Sequence, residues 1–355
     1  MNPFTAVKGL LKLVSDPRYS QSYYDGEQLK SKWRILTDNF FWLAKNQEVN
    51  KFYFLYGLDR KNADPKQVMP YKEFMKIRDG INLRPDGANF NYASLLRDKF
   101  VFGQFLSSLK FPSPKNIALL NNKNVTWLDT MKRVPVNDIA SDCQININGF
   151  CKQLMGSQGV GAFPMQIAEG KIGVGGKNIS ADQLSGMMKG PYLFQELVEQ
   201  HPEMNVLHAH SVNTLRLITF NRDNNIDVFS GTLRIGTKGN RVDNWNAGGI
   251  AVSIDLETGR LRKTGFYKPG RGGTATVHPD SKIVLEGFKI PCFEEAIDLV
   301  KKLHTYLYGI HSIGWDIAIT PNGPIFIEGN DDWDGSMPMA LETDFTSRFK
   351  KMYRP

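Results

Sequence analysis

The spacing of apolar residues along the chain changes at about residue 90. Before that point, apolar positions recur at helical spacing over residues 4–14 and over most of residues 25–57. Beyond it, the pattern predicts helices at 95–109 and 293–307 and strands at 145–152, 191–198 and 214–220. Helices that alternate with strands are typical of α/β or α+β proteins. We therefore predict a mainly helical N-terminal region, residues 1–90, followed by a mixed region.

The first predicted helix carries an apolar stripe. Such a stripe fits a helix that docks on a core, and a membrane-surface helix is the alternative. Its members are Phe4, Val7, Leu10, Leu11 and Val14. The next helical segment is rich in aromatic side chains, which we expect to lie in the core: Trp33, Phe40, Phe41 and Trp42.

A β-hairpin is predicted near the C-terminus, where two apolar runs flank a Pro-Asn-Gly turn. If residues 321–323 form a three-residue loop, Ala318 lies opposite Phe326 and Asp316 lies opposite Glu328. Opposed side chains on neighbouring strands have Cβ atoms roughly 5 Å apart, and like charges there are destabilising. The hairpin therefore needs a compensating partner for these two carboxylates.

A divalent cation would be such a partner. Asn330 lies two residues beyond Glu328, so it projects from the same face of the strand. Two carboxylates and an amide oxygen suit Mg²⁺, which takes one or two carboxylates and leaves its other positions to water and phosphates. We therefore predict Asp316, Glu328 and Asn330 as magnesium ligands. The alternative is a solvated hairpin whose acidic residues are adjacent by chance.

The composition of the 355-residue chain is that of a globular protein, with 41% hydrophobic and 23% charged residues. Its 44 basic and 36 acidic residues give a net charge of +8, which favours anionic partners. No nucleic-acid-binding motif is recognisable, so nucleotides, phosphorylated sugars, acidic polysaccharides or lipid surfaces are expected rather than nucleic acid. No apolar run approaches the roughly 20 residues of a membrane span. Three cysteines without metal or disulfide spacing, and no evident signal peptide, favour a cytoplasmic location.

A lysine before a glycine-rich turn indicates phosphate binding. Lys152 ends a predicted strand, and glycines follow at positions 156, 159 and 161. Glycines let backbone N–H groups approach phosphate oxygens, while an ammonium group neutralises their charge. The residue order matches neither a Walker loop nor a dinucleotide-binding fingerprint, so an ordinary flexible turn is the alternative.

The order of the motifs resembles that of the ATP-grasp superfamily. It comprises a lysine before a Gly-Ser-x-Gly-x-Gly loop, a Gln-Glu pair on an apolar strand, an arginine on a strand, and Asp followed by Glu-x-Asn. Within the superfamily, the chain is similar to the sugar-transfer-associated ATP-grasp proteins at residues 212–216, 233–236, 242–249, 278–280 and 314–316.

This resemblance implies an α+β protein with an ATP-grasp fold, in which two α+β subdomains clasp ATP. A small lid subdomain, residues 91–192, would contain Lys152 and the glycine-rich loop. A large subdomain, residues 193–355, would contain a hinge strand and the metal ligands. The implied cofactors are ATP and Mg²⁺, with two ions expected.

The resemblance also implies roles for individual residues. The nucleotide contacts would be Lys99, Lys152, Gly156, Ser157, Gly159, Gln195, Glu196, Val198 and Glu203. Glu203 is the candidate for the ribose contact, with Glu199 as its rival. The residues near the phosphates or the acceptor would be Arg216, Arg234, Asn244 and His278. For the two arginines the alternative is a strand-surface ion pair, and for the histidine it is a turn cap.

The function implied is an ATP- and Mg²⁺-dependent carboxylate-amine ligase that acts through an acyl phosphate. The family association points to surface polysaccharide or glycoconjugate biosynthesis, with small carboxylate and amine substrates that are nucleotide-sugar or polysaccharide-linked. Contact with a membrane would be at most peripheral, beside a membrane-bound assembly machinery. A kinase and a nucleotide-binding accessory protein are the alternatives.

Overall fold

The computed structural model describes residues 3–24, 26–82, 92–143, 146–156, 159–222 and 225–352. The predicted α+β class is confirmed. The helices are α1 (Pro3–Ser15), α2 (Lys32–Asn46), α3 (Tyr71–Asn82), α4 (Ala93–Arg97), α5 (Lys99–Ser108), α6 (Ile139–Asp142), α7 (Ala181–Met187), α8 (Pro202–Asn205), α9 (Phe293–His304), α10 (Ser336–Leu341) and α11 (Phe345–Met352). None of these described helices combines the length and the apolar character that a transmembrane span requires.

The first sheet has eight antiparallel strands in the order β3-β2-β1-β8-β4-β5-β6-β7. They are β1 (Asn116–Leu120), β2 (Asn124–Trp127), β3 (Arg133–Pro135), β4 (Ile147–Gln153), β5 (Phe163–Ala168), β6 (Lys171–Val174), β7 (Lys177–Ile179) and β8 (Tyr192–Glu196). The predicted subdomain boundary between residues 192 and 193 falls inside β8, which pairs with β1 and β4. By its pairing, β8 therefore belongs to the first sheet.

The second sheet has seven antiparallel strands in the order β13-β12-β11-β10-β9-β14-β15. They are β9 (Thr214–Arg222), β10 (Asn225–Ile235), β11 (Ile250–Asp255), β12 (Arg260–Tyr267), β13 (Thr274–Ala275), β14 (Ser312–Thr320) and β15 (Gly323–Asn330). Both faces of this sheet are covered, which explains why every residue of β14 is buried.

The strand period of two divides the second sheet into two cores. Leu215 and Leu217 of β9 belong to a core that α9 covers with the apolar stripe expected from its sequence. Ile218 and Phe220 belong to the opposite core, which contains Phe74 of α3 and other side chains of the N-terminal region. The N-terminal region therefore packs on the same face of β9 as Ile218, and by alternation this is also the face of Arg216.

Helix α3 is tied to the end of the β14–β15 hairpin by buried polar groups. The Asn82 side-chain amide donates hydrogen bonds of 2.8 Å to the carbonyl oxygens of Ser312 and Asp331. The buried Arg78 guanidinium donates to the carbonyl oxygens of Asp332 and Trp333. These bonds fix the chain where it leaves β15, because each satisfies a backbone acceptor that packing removes from water.

The turn of the β14–β15 hairpin differs from the prediction. Thr320 pairs with Gly323, so the loop has two residues instead of three, and Gly323 has a positive φ of 105°. As a result Ala318 pairs with Ile325, and the prediction that it faces Phe326 is wrong.

A β-bulge restores the predicted pairing further along the hairpin. The register shifts between Asp316 and Ile317, so that Ile317 pairs with Phe326 and Asp316 pairs with Glu328. Ile327 is the extra residue of β15. The predicted opposition of the two carboxylates is therefore confirmed, although the predicted loop length is wrong.

The predicted helix at 95–109 consists of two helices. Asp98 leaves the helical conformation, with φ of −95° and ψ of 115°, and its side chain accepts hydrogen bonds from the backbone N–H groups of Phe100 and Val101. This N-cap starts α5 at Lys99, because it satisfies two N–H groups that have no partner inside the helix. Lys99 thus occupies the first turn of α5 instead of the middle of a longer helix.

The prediction that the aromatic side chains of α2 lie in the core is wrong for three of them. Trp33, Phe40 and Phe41 are 78%, 58% and 68% exposed, and only Trp42 is half-buried. In α1, by contrast, Leu10 is buried, as expected for a docked helix. Helical spacing identifies an apolar face but does not reveal whether another element covers it.

The core between the N-terminal region and the second sheet generates a stability prediction. Phe74 is fully buried and its ring lies 5.1 Å from that of Trp333 and 5.0 Å from that of Phe349, centroid to centroid. Phe74→Ala should lower the free energy of unfolding by about 3–5 kcal/mol, because it leaves a cavity. Urea unfolding measures this loss, and the exposed Phe41→Ala serves as the control, expected to change the value by less than about 0.5 kcal/mol. An equal loss of unfolding free energy in both variants would contradict the conclusion that Phe74 belongs to a core that stabilises the fold.

Candidate active site

A cleft of about 1180 Å³ lies between residues of the two sheets. The first sheet contributes Lys152 of β4 and Gln195 of β8. The second sheet contributes Arg216 of β9, together with Asp316 and Glu328 of the hairpin. Side chains that are far apart in the sequence therefore face one cavity, as the order of the motifs predicted.

Asp316 is held by two arginines from neighbouring strands. Arg216 donates to both carboxylate oxygens, with Nε–Oδ1 at 2.5 Å and Nη2–Oδ2 at 3.1 Å. Arg234 of β10 places its Nη2 2.8 Å from Oδ2. Burial disfavours the ionised carboxylate, but the two guanidinium groups outweigh it and hold the pKa of Asp316 well below its usual range. Asp316 is therefore a permanent anion inside the cleft.

Glu328 lies opposite this anion and has weaker compensation. Its closest described cation is Lys99, with Nζ 3.8 Å from Oε2. Burial, and then the charge of Asp316, raise the pKa of Glu328. Positive charge is therefore closer to Asp316 than to Glu328, and Asn330 adds an amide group to the same cavity.

Two lysines lie near the carboxylates, Lys152 on β4 of the first sheet and Lys99 at the start of α5. Lys99 Nζ donates a 2.5 Å hydrogen bond to the carbonyl oxygen of Gly156, which links α5 to the glycine-rich segment. Burial lowers the pKa of Lys152 to about 8, and Lys99 acts in the same direction while Glu328 opposes it. Both ammonium groups line the cleft.

The glycine-rich segment also reaches the cleft. Gly156 and Gly159 are lining residues, and Gly159 has a positive φ of 68°, which favours glycine. Ser157, predicted as a nucleotide contact, lies outside the described residues. The described glycines of this segment therefore line the same cleft as Lys152, and glycine backbone together with an ammonium group is the combination expected for phosphate binding.

The predicted hinge strand borders the cleft on another side. Gln195, Glu196 and Val198 all line it. The Gln195 side-chain amide donates a 2.6 Å hydrogen bond to Asn116 Oδ1 of β1, so this side chain holds the sheet together. Of the two candidates for a ribose contact, Glu199 lines the cleft. Glu203, the first candidate from the sequence, is exposed on α8 and is not among the described residues that line the cleft.

The structure brings Asn244 to the cleft but not His278. Asn244 Oδ1 accepts a 2.7 Å hydrogen bond from the backbone N–H of Asn246 at the far end of the cavity. His278 is fully buried, with Nε2 2.8 Å from the Gly236 oxygen and Nδ1 3.1 Å from Ser281 Oγ. It is absent from the described lining of the cleft.

His278 also belongs to a group with His208 and Asp280, whose candidate ligand atoms lie within 4.8 Å of one another. Both ring nitrogens of His278 already take part in hydrogen bonds, and its pKa is lowered mainly by burial. These contacts are those of a histidine that holds a turn in place, the alternative considered from the sequence.

Two residues that the sequence did not single out complete the arginine network. Asp243 Oδ2 accepts hydrogen bonds from the backbone N–H of Thr214, at 2.9 Å, and from its hydroxyl, at 2.5 Å. The same hydroxyl accepts from Arg234 Nη2 at 2.6 Å. Both residues lie inside stretches that carry the family resemblance, and this resemblance is the signal that could have identified them. Their role is to position Arg234 against Asp316.

A second pair of residues was also missed. Arg97 at the end of α4 forms a bidentate ion pair with the buried Asp331, with Nη2–Oδ2 at 2.6 Å and Nε–Oδ1 at 2.9 Å. Both line the cleft. Since Asp331 directly follows Asn330, this pair holds the end of β15 against α4.

The unequal surroundings of the two carboxylates generate a prediction for the metal-free protein. Asp316→Asn should lower the free energy of unfolding by about 3–5 kcal/mol, because it removes the charge that pairs with both Arg216 and Arg234 and leaves Arg234 only its longer contact with Asp243. Glu328→Gln should not destabilise the protein, since it removes a carboxylate that faces another one. Urea unfolding in a chelator at neutral pH measures both, with the exposed Glu257→Gln as the control. An equal loss of unfolding free energy in Asp316→Asn and Glu328→Gln would contradict the conclusion that the two carboxylates have unequal surroundings.

Comparisons with known proteins identify the family of the chain. A family model described as sugar-transfer associated ATP-grasp matches residues 86–354. No curated protein sequence matches the chain significantly.

Similar solved structures include N5-carboxyaminoimidazole ribonucleotide synthetase from Thermotoga maritima, at 14% identity and a TM-score of 0.33, and D-alanine-D-alanine ligase from Helicobacter pylori, at 13% and 0.39. The matches cover 68% and 73% of this chain but only 43% and 60% of those chains. At these TM-scores the likeness carries no functional argument. Because the family model covers more than half of the chain, the predicted ATP-grasp fold is confirmed, and the protein belongs to the sugar-transfer-associated ATP-grasp family.

Proposed function

We propose that the protein is an ATP- and Mg²⁺-dependent ligase that joins a carboxylate to an amine through an acyl phosphate. The observation that carries this proposal is the opposed pair of Asp316 and Glu328 in a cleft that also contains Lys99, Lys152 and glycine backbone. Anionic ligands for a cation thus lie next to cationic groups for phosphates.

The donor set fits Mg²⁺. Glu328 has a raised pKa because it is buried opposite an anion, so a cation bound between the carboxylates would remove the repulsion. With Asn330, the site offers the hard oxygen ligands that Mg²⁺ prefers, and it leaves room for phosphate oxygens. When bound, the metal would neutralise charge on the phosphoryl group that is transferred. Two ions are proposed, with Asp316, Glu328 and Asn330 as the protein ligands.

The opposite wall of the cleft fits a nucleotide. Lys99 and Lys152 would contact the phosphates together with the backbone of Gly156 and Gly159. Backbone groups around Glu196 and Val198 would hold adenine, and Glu199 is better placed than Glu203 for the ribose because it lines the cleft. These assignments rest on positions in the cleft and on the family's motif order.

The proposed reaction needs positioned charge but no nucleophilic side chain. An oxygen of the substrate carboxylate would bond to the γ-phosphorus of ATP while the bond to the β,γ-bridging oxygen breaks, which releases ADP. The amine nitrogen would then attack the acyl carbon, expel phosphate and lose a proton. Arg216 and Arg234 would stabilise the charge on the oxygens of the phosphoryl group or the acceptor. The cleft would shield the acyl phosphate from water.

The substrates are proposed from the family's association with sugar transfer. We place the reaction in surface polysaccharide or glycoconjugate biosynthesis, with an amino acid or amine joined to a sugar carboxylate. Asn244 and the neighbouring segment at residues 240–249 would shape the acceptor end of the cavity, because several of its residues line the cleft. The acceptor itself would be a small molecule or a nucleotide- or polysaccharide-linked sugar.

The first test measures ADP release from ATP and Mg²⁺ in the presence of pooled uronic acids and amines. The wild-type protein should release ADP and phosphate, and Glu328→Gln should lower the rate roughly 100-fold or more, because charge stabilisation in the transition state is lost. Glu257→Gln, an exposed glutamate far from the cleft lining, should retain the wild-type rate. Release of AMP and pyrophosphate would contradict the acyl phosphate mechanism, and a stable phosphorylated product formed without an amine would identify a kinase.

The second test uses the lowered pKa of Lys152. The lysine is charged below pH of about 8 and neutral above it, so its attraction for phosphate is present at lower pH and is lost as the pH rises through that value. ADP affinity, measured by calorimetry, should therefore fall between about pH 7 and pH 9. Lys152→Gln should bind ADP weakly and show little pH dependence. Lys177→Gln on the sheet edge should behave like the wild type, and an unchanged pH dependence in Lys152→Gln would exclude this role.

A further inference from the structure

The outer face of α2 is apolar and uncovered in the described part of the chain. Trp33, Phe40 and Phe41 have the largest exposed aromatic surface of this helix, at 78%, 58% and 68%. Residues spaced by seven and eight positions lie on one side of a helix, so the three rings form a single face. The exposed Thr37 and Ala44 lie between them at the same helical spacing. Such a face is costly in water, because aromatic side chains carry large apolar surfaces.

Basic side chains flank this aromatic face on both sides. Lys32 lies on one side, and Arg34 and Lys45 on the other, and all three are exposed. The acidic residue of α2, Asp38, forms ion pairs with Lys30 Nζ at 2.8 Å and with Arg34 Nε at 3.1 Å. The helix therefore presents positive charge around an apolar centre, and the whole chain has a net charge of +8.

The helix holds this face in a fixed orientation. The Ser31 side chain caps its N-terminus by accepting a hydrogen bond from Arg34 N, and Gln47 ends it in the left-handed conformation. On the inner side Ile35 and Asn39 are buried, and Lys30 donates a 2.8 Å hydrogen bond to the Leu58 oxygen. The aromatic residues therefore point outward from a docked helix that the fold keeps in place.

We propose that α2 docks the protein on an anionic membrane surface. Trp33, Phe40 and Phe41 enter the headgroup region, and the basic residues around them contact anionic headgroups. Aromatic and apolar side chains on one face, bordered by lysine and arginine, are the features of helices that lie in the membrane interface. The charge of the flanks is complementary to anionic lipids, which favours a membrane over an uncharged protein partner. No membrane span is needed for this contact.

Vesicle co-sedimentation tests the docking with the full-length protein and without nucleotide. Wild-type protein should bind phosphatidylcholine vesicles that contain about 30% phosphatidylserine, and should bind pure phosphatidylcholine vesicles much more weakly. Salt of about 0.5 M should weaken the binding because it screens charge. The triple variant Trp33→Ser, Phe40→Ser, Phe41→Ser should lose at least about tenfold in partitioning, and Lys32→Glu with Lys45→Glu should lose a similar factor.

The matched control is Tyr308→Ser, which removes a 67% exposed aromatic residue outside α2. It should bind vesicles like the wild type. All variants should keep the wild-type unfolding temperature, because the changed side chains are exposed. The proposal is overturned if the triple variant binds as well as the wild type, or if neither vesicle is bound. Conversion of a wild-type dimer to a monomer by the triple variant, without vesicle binding, would assign the face to a second copy instead. Since ATP is absent, failure of the proposed ligase activity does not affect this result.

Discussion

The candidate site depends on one electrostatic constraint, the burial of Asp316 between cationic and anionic neighbours in adjacent strands. The register of the second sheet aligns Arg216, Asp316 and Glu328 in one row across β9, β14 and β15. Arg234 joins this row from β10, where Thr214 and Asp243 hold its guanidinium group. The sheet itself thus assembles the charges, and loops are not required to bring them together.

The two sheets contribute groups of different kinds to the cleft. The first sheet and α5 supply the lysines and the glycine backbone, and the second sheet supplies the carboxylates and the arginines. Lys99 of α5 connects the two groups, because it approaches Glu328 of the second sheet and also bonds to the oxygen of Gly156. Lys99 therefore links the surroundings of Glu328 to the backbone of Gly156.

Sequence analysis predicted the opposed carboxylates and Lys152 before the glycine-rich segment, because alternation and glycine spacing are local signals, whereas Lys99 was implied only by the family resemblance. It predicted the wrong turn for the hairpin, because a bulge adds one residue that alternation cannot count. It missed Asp243 and Arg97, whose importance comes from partners distant in the sequence. It also placed Trp33 in the core, since no local pattern records whether a neighbouring element covers a helical face.

Helix α3 has a consequence for how this protein can be divided. The family match begins at residue 86, yet Arg78 and Asn82 hold the backbone that follows the last proposed metal ligand. A chain that starts at residue 86 would retain every recognised motif and lose the donors for the carbonyl oxygens of Asp331 and Asp332. The carbonyl oxygens of Asp331 and Asp332 would then need other hydrogen-bond donors. The segment without motifs thus supports the backbone of the segment that contains them.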